Sequence, residues 1–153
     1  MQRRRFCPKN SHRRQKGRGE TLKGFILDSY ALIAYFEDEP GADKVEQILG
    51  QAEKDRATLV MSIINWGEVY YSMYRSKGEE KAEEALLIME QLPIKIIEID
   101  RNIAYQAARL KANHSIAFGD CFAAVIAISM DYPLLTGDKE FKKLRDKIKV
   151  EWM

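Results

Sequence analysis

Four acidic residues adjoin apolar segments of this chain, in positions where a packed core would normally exclude a charge. They are Asp28, Glu68, Asp120 and Asp138. Asp28 shows the pattern best, because a short apolar run ends at Asp28 and Ser29 and an amphipathic segment begins there. A carboxylate beside a core is costly unless it is hydrogen-bonded, paired with a cation or bound to a metal. Four such residues in one short chain predict an acidic metal pocket.

The chemistry of such a pocket follows from its ligand type. Four carboxylates crowded together raise one another's pKa, so the ionised cluster calls for divalent cations. Oxygen ligands without His or Cys favour Mg²⁺, with Mn²⁺ as a second candidate, over zinc. Such ions would bind a scissile phosphodiester, lower the pKa of an attacking water and neutralise charge on the leaving oxygen. We therefore expect a metal-dependent nuclease, with weaker roles in positioning substrate or water for Ser29, Asn65 and Thr136.

Each acid also has a purely structural interpretation. Asp28 and Asp120 could cap helices, Asp138 could belong to an ordinary turn, and Glu68 could lie on an exposed helix face. These interpretations leave open a non-catalytic module that binds RNA or a protein partner. A receiver-type phosphoacceptor at Asp28 fits less well, because the one Lys placed after a late strand, Lys139, adjoins an acid already assigned to the pocket.

The elements that must bring these acids together alternate along the chain from residue 24. Apolar runs predict strands at 25–28, 58–61, 94–99, 134–136 and 148–152, and helical periodicity predicts helices at 30–36, 42–52, 63–77, 79–92, 101–112, 121–130 and 140–147. Such alternation is typical of an α/β domain with a central, mainly parallel sheet. Ligands of these sheets bind beyond the carboxyl ends of the strands, where all four acids are expected to converge.

Charge divides the 153-residue chain into two parts. Residues 1–23 hold nine Lys or Arg and one acid, so about +8 lies there and about −6 on the remainder, within a total of +2. We predict a basic, disordered extension at 1–23 and one folded domain at 24–153. A polybasic arm would contact RNA phosphates by counterion release, or it is a solvated extension arising from an upstream start. The sequence leaves both interpretations open.

The apolar pattern also bears on the compartment. No apolar run approaches the ~20 residues that span a bilayer, and no apolar stretch near the N-terminus predicts a signal peptide. Cys7 and Cys121 have neither a disulfide nor a zinc-site spacing. We therefore expect a soluble cytoplasmic protein with no membrane partner.

Three ordered motifs resemble those of the PIN-domain ribonucleases, and within them the VapC-like toxins of prokaryotic toxin–antitoxin pairs. ILDSYALIAYF contains Asp28 and Ser29, SIINWGEVYY contains Glu68, and FGDCFAAVIAISMDYPLLTGDKEF contains Asp120 and the Thr-Gly-Asp element of Thr136 and Asp138. The likeness runs from about residue 25 to the C-terminus, whereas the basic arm departs from the family's compact pattern.

The resemblance implies a three-layer α/β/α fold and a Mg²⁺-dependent endoribonuclease that cleaves single-stranded RNA. It also implies a homodimer and a cognate antitoxin that covers the acidic pocket. A PIN nuclease that processes RNA without an antitoxin is the alternative within the same class.

Overall fold

The apolar runs form one parallel sheet of five strands, seen in a computed structural model that describes residues 22–153. The strands are β1 (Lys23–Leu27), β2 (Ala57–Ser62), β3 (Ile94–Ile97), β4 (Leu134–Thr136) and β5 (Val150–Trp152). Their order in the sheet is β3-β2-β1-β4-β5, and every neighbouring pair is parallel. The predicted basic extension and Cys7 lie outside the described residues, apart from the extension's last two positions.

The central strands bury both faces, because successive side chains of a strand point to opposite sides of the sheet. Phe25 and Leu27 of β1 contribute to one hydrophobic core, while Ile26 between them contributes to the other. The first core contains α1 (Ser29–Glu37), α2 (Ala42–Glu53), α3 (Ile63–Lys77) and α4 (Glu79–Met89). The second contains α5 (Arg101–Asn113), α6 (Phe118–Met130) and the 3₁₀ helix Lys139–Leu144. The predicted three-layer α/β/α fold is therefore confirmed.

Three of the α-helices in residues 22–153 begin after a residue whose side chain caps them. Asp28, Ser62 and Asp100 have extended backbone, and each side-chain oxygen accepts the amide N–H three residues later. Such a bond satisfies an amide that has no partner inside its helix. The capping role considered for Asp28 is therefore present in the structure.

Several predicted boundaries are wrong. The helix predicted at 140–147 is the shorter 3₁₀ helix, whose buried Phe141 and Leu144 are three residues apart, as the threefold repeat of that helix requires. Helix α4 ends at Met89 instead of residue 92, and β3 ends at Ile97 instead of residue 99. Helix α6 begins at Phe118, so Asp120 lies inside its first turn and does not cap it.

The helices are short relative to the thickness of a bilayer. Within residues 22–153, no single helix is long and apolar enough to cross a membrane. Helices α5 and α6 reach the required length and composition only when taken together, and they are bent by 117° relative to each other.

Candidate active site

Asp28 is the most deeply buried acid and lies where β1 ends. Its side chain is 1% exposed, Oδ1 accepts the Ala31 amide at 3.1 Å, and Oδ2 accepts the Thr136 hydroxyl at 2.6 Å. Burial raises the pKa of Asp28 to about 7, although the bonds from Thr136 and Ala31 lower it. The negative charges of Asp120 and Asp138 raise this pKa further. Asp120 and Asp138 therefore lie near enough for their charges to change the pKa of Asp28.

Thr136 connects two of the predicted acids. It ends β4, the strand beside β1, and its Oγ1 both donates to Asp28 and accepts the Asp138 amide at 3.0 Å. Asp138 in turn accepts the Glu140 amide through Oδ1 at 2.9 Å. Asp28 and Asp138 therefore lie at one edge of the sheet, beyond the carboxyl ends of β1 and β4, with the buried Thr136 between them.

Asn65 and Glu68 both lie on α3, and the side chain of Asn65 donates a hydrogen bond to Glu68. Its Oδ1 accepts the Ser62 hydroxyl at 2.6 Å, and its Nδ2 donates to Glu68 Oε2 at 2.9 Å and to the Gly119 carbonyl at 3.2 Å. Asn65 is fully buried, so its donors and acceptors must be satisfied inside the protein. The structure therefore joins Glu68 to the first turn of α6, which carries Asp120.

Asp120 is 8% exposed and has no hydrogen-bond donor within residues 22–153. Burial raises its pKa to about 7, and the charges of Asp138, Glu68 and Glu140 raise it further, in that order. Glu140 is a fifth acid, which the sequence pattern placed only at the start of a predicted helix. Its one signal in the sequence was its position two residues after Asp138.

These carboxylates form no ion pair with a Lys or Arg in the described part of the chain, apart from the exposed pair of Glu140 with Lys143. Their oxygen-only donor set has the chemistry that suits a hard divalent cation. In residues 22–153, however, no group of three or more His, Cys, Asp or Glu side chains is arranged closely enough to hold a metal ion. The donor types fit Mg²⁺ or Mn²⁺, while the side chains would have to move to coordinate either ion.

Ser29 is placed differently from the other weaker candidates. It is the first residue of α1 and is half-buried, and among the described residues its side chain makes no hydrogen bond. Asn65 and Thr136, by contrast, bond directly to Glu68 and Asp28. The structure therefore links two of the three weaker candidates to the acids.

Two exposed aromatic residues belong to the segments that carry the acids. Tyr30 is 39% exposed, and a Cβ added to Gly137 would lie 2.9 Å from its Cζ, so the ring adjoins the turn before Asp138. Phe118 is 48% exposed in the turn that holds Asp120, and its ring lies 4.8 Å from that of Phe122. Tyr30 therefore places a flat surface near Asp138, whereas Phe118 packs on Phe122 of its own helix.

Comparisons with known proteins agree with this architecture. The sequence model of the PIN domain family matches residues 25–147. A protein named ribonuclease VapC, from Mycolicibacterium smegmatis, is 28% identical over 125 residues, which is 76% of this chain and 93% of that protein.

Solved structures show the same fold. VapBC2 from Rickettsia felis, bound to a DNA fragment from its promoter, has a TM-score of 0.68 at 21% identity, covering 84% of this chain and 98% of that one. VapC20 from Mycobacterium tuberculosis, described as a toxin that cleaves the sarcin–ricin loop, has a TM-score of 0.64 at 10% identity, covering 81% and 95%.

Proposed function

We propose that this chain, which belongs to the PIN domain family, is a Mg²⁺-dependent endoribonuclease and the toxin of a toxin–antitoxin pair. One observation carries the metal-dependent activity. Asp28 and Asp120 have pKa values raised to about 7, and no Lys or Arg of the described residues pairs with either acid. A divalent cation would supply the missing positive charge and keep both ionised at neutral pH.

Four carboxylates are the proposed ligands, directly or through water: Asp28, Glu68, Asp120 and Asp138. A Mg²⁺ or Mn²⁺ ion bound there supplies positive charge for the scissile phosphate and a more acidic water. The protein's own contribution is positional. Thr136 orients Asp28 through Oδ2, Asn65 restrains Glu68 through Oε2, and burial keeps Asp28 from bulk solvent. Such partners orient the carboxylates and restrict how far they can move when an ion binds.

Single-stranded RNA is the proposed substrate. The part of the chain after residue 23 carries about −6, so it offers little general attraction for a polyanion. Tyr30 is exposed beside the turn before Asp138, and Phe118 is exposed in the first turn of α6. The two rings give unpaired bases flat surfaces to stack on. The basic segment before β1 is a second source of affinity, through phosphate contacts.

The toxin assignment is supported by the relatives rather than by the pocket. The curated relative is named ribonuclease VapC, and several similar structures are of VapBC complexes, including one from Salmonella typhimurium. We infer a cognate antitoxin, a homodimer and a cytoplasmic site of action. A small reading frame beside this gene should encode a protein that co-purifies with the chain and suppresses its cleavage. Undiminished cleavage in the presence of that protein would favour an RNA-processing nuclease instead.

The decisive experiment is RNA cleavage by purified full-length protein with and without Mg²⁺. We expect the double variant Asp28→Asn, Asp120→Asn to be inactive, because it removes both buried carboxylates. Asp131→Asn is the matched control, since Asp131 caps the end of α6 with a left-handed backbone that Asn tolerates. Equal cleavage by the wild type and the double variant would refute the proposed activity.

The same assay tests the basic segment. A form that begins at Lys23 retains β1 and all four of the proposed metal ligands. It should cleave with a higher KM and a weaker dependence on salt, because it lacks most of the basic residues. Calorimetry with Mn²⁺ separates the nuclease from a non-catalytic binding module, since only the nuclease requires the ion.

A further inference from the structure

Gly119 lies where α3 and α6 approach each other closely. It is the second residue of α6, directly before Asp120, and its carbonyl accepts a hydrogen bond from Asn65 Nδ2 at 3.2 Å. A Cβ added at Gly119 would lie 2.6 Å from Cδ of Glu68 and 3.0 Å from its Oε2, and nearer still to Oε1. The Glu68 carboxylate therefore occupies the space that any side chain at position 119 would take.

Backbone conformation does not explain this glycine. Gly119 lies within a helix and has no positive φ, unlike Gly41 and Gly78. Glycine inside a helix is less favourable than alanine by roughly 0.5–1 kcal/mol. The helix alone would thus favour Ala at this position. Gly is required instead because the Glu68 carboxylate occupies the space of a side chain.

The obstructed atoms belong to the end of a flexible side chain, so an added methyl group would be accommodated by movement of the Glu68 carboxylate. That movement would disrupt the 2.9 Å bond from Asn65 Nδ2 to Oε2. It would also change the distance from Glu68 to Asp120, whose pKa already responds to the charge of Glu68. An added methyl group would therefore displace a carboxylate of the pocket and no residue of the hydrophobic core.

We propose that Gly119 is a positioning residue, whose missing side chain lets the Glu68 carboxylate lie against α6 between Asn65 and Asp120. The role of that carboxylate as a metal ligand rests on the proposed function. Its placement by Gly119 does not, because the placement can be measured in the metal-free protein.

Gly119→Ala is the test, and Gly67→Ala is its matched control. Gly67 is also helical, adjoins Glu68 in sequence, and has nothing within 4 Å of an added Cβ. We expect Gly119→Ala to keep or raise the unfolding midpoint and to shift the Asn65 side-chain amide resonances in the metal-free protein. We also expect Mn²⁺ affinity and RNA cleavage to fall by about 10- to 100-fold, as when a ligand's supporting contacts are removed. Gly67→Ala should also keep or raise the unfolding midpoint and should match the wild type in the other three.

A double-mutant cycle with Glu68→Asp keeps the proposal falsifiable. The shorter carboxylate withdraws from position 119, so Gly119→Ala should cost much less Mn²⁺ affinity when Glu68→Asp is already present than in the wild type. If Gly119→Ala alone fails to fold and the double variant folds, crowding against Glu68 is confirmed. Failure of both to fold would assign Gly119 to helix packing and overturn the proposal.

Two further outcomes separate this proposal from the proposed function. Unshifted Asn65 resonances in Gly119→Ala, or the same shifts in Gly67→Ala, would overturn the positioning role whatever the activity. A wild-type protein that neither binds Mn²⁺ nor cleaves RNA would refute the nuclease, while the Asn65 resonances would still decide whether Gly119 positions the carboxylate.

Discussion

The Thr136 hydroxyl donates a 2.6 Å hydrogen bond to Oδ2 of Asp28, although 108 residues separate the two in sequence. Thr136 is 0% exposed and Asp28 is 1% exposed, so water cannot replace either partner. The bond lowers the pKa of Asp28 against the larger effect of burial. Thr136 therefore influences both the position and the charge of the most buried acid.

Thr136→Val should remove that bond while keeping the shape of the side chain. A hydrogen bond to a charged group contributes about 1.5–3 kcal/mol, so we expect a loss of that order in unfolding free energy at pH 8. Mn²⁺ affinity should fall by about 10- to 100-fold, because Asp28 loses its orienting donor. Urea unfolding and calorimetry measure the two effects. Thr136→Ser retains the hydroxyl and should stay near the wild type; wild-type behaviour of the Val variant would count against the role of the bond.

The stability of the metal-free protein should depend on pH through Asp28 and Asp120. Their folded pKa values, about 7, lie above the ordinary value of 3.8. Between about pH 4 and pH 7 the folded state therefore holds protons that the unfolded state has released, and the unfolding free energy falls as pH rises. At about 1.4 kcal/mol per pKa unit, the two acids together should lower the unfolding free energy by several kcal/mol across this range.

Urea unfolding in EDTA at several pH values between 4 and 8 measures this dependence. The wild type should lose stability as pH rises, and the double variant Asp28→Asn, Asp120→Asn should lose much less. Mg²⁺ should restore stability at pH 8 in the wild type alone, because only its carboxylates gain a counter-charge. Equal slopes for the wild type and the double variant would contradict the assigned pKa values.

Asn65→Ala should weaken the pocket through Glu68. The change removes the donor to Oε2 and to the Gly119 carbonyl, and leaves the Ser62 hydroxyl without its acceptor. We expect kcat to fall by about 10- to 100-fold, with a smaller change in KM for RNA. Asn113→Ala, at an exposed asparagine that bonds only to its own helix, is the control. A drop in affinity that appears only as a higher KM would instead point to a substrate contact.

Tyr30→Leu and Phe118→Leu should weaken RNA binding. Base stacking on an aromatic ring contributes about 1–3 kcal/mol per base, so KM for an unstructured oligonucleotide should rise by roughly 5- to 150-fold. Tyr105→Leu is the control, because Tyr105 is 60% exposed on α5, a helix that carries none of the acids. An unchanged KM in both variants would exclude stacking as the source of affinity.

The fold followed from the sequence because its strongest local signals agree with its packing. The strand-length apolar runs and most stretches of helical periodicity appear in the described structure near their predicted places. Local features agree with these signals, since Ser62 and Asp100 cap the helices that follow them. The prediction of an α-helix at 140–147 was wrong. A stretch with two buried residues three positions apart fits both an α-helix and a 3₁₀ helix.

The acids were identifiable by residue type and by their place at strand ends, but their contacts were not. Glu140 and Gly119 enter the site through long-range approach of α6 to other elements, which no local pattern records. No sequence pattern indicated, likewise, that Asn65 contacts the Gly119 carbonyl, 54 residues away.

The placement of β4 beside β1 has a consequence for synthesis. The strand that carries Thr136 enters the sheet next to the strand that ends at Asp28, so this edge of the pocket joins an early segment of the chain to a late one. A growing polypeptide has Asp28 early, but it lacks β4, Asp138 and the 3₁₀ helix until nearly all of it has left the ribosome. Contacts this distant in sequence form only after that point, so the pocket is complete only when synthesis of the chain is nearly finished.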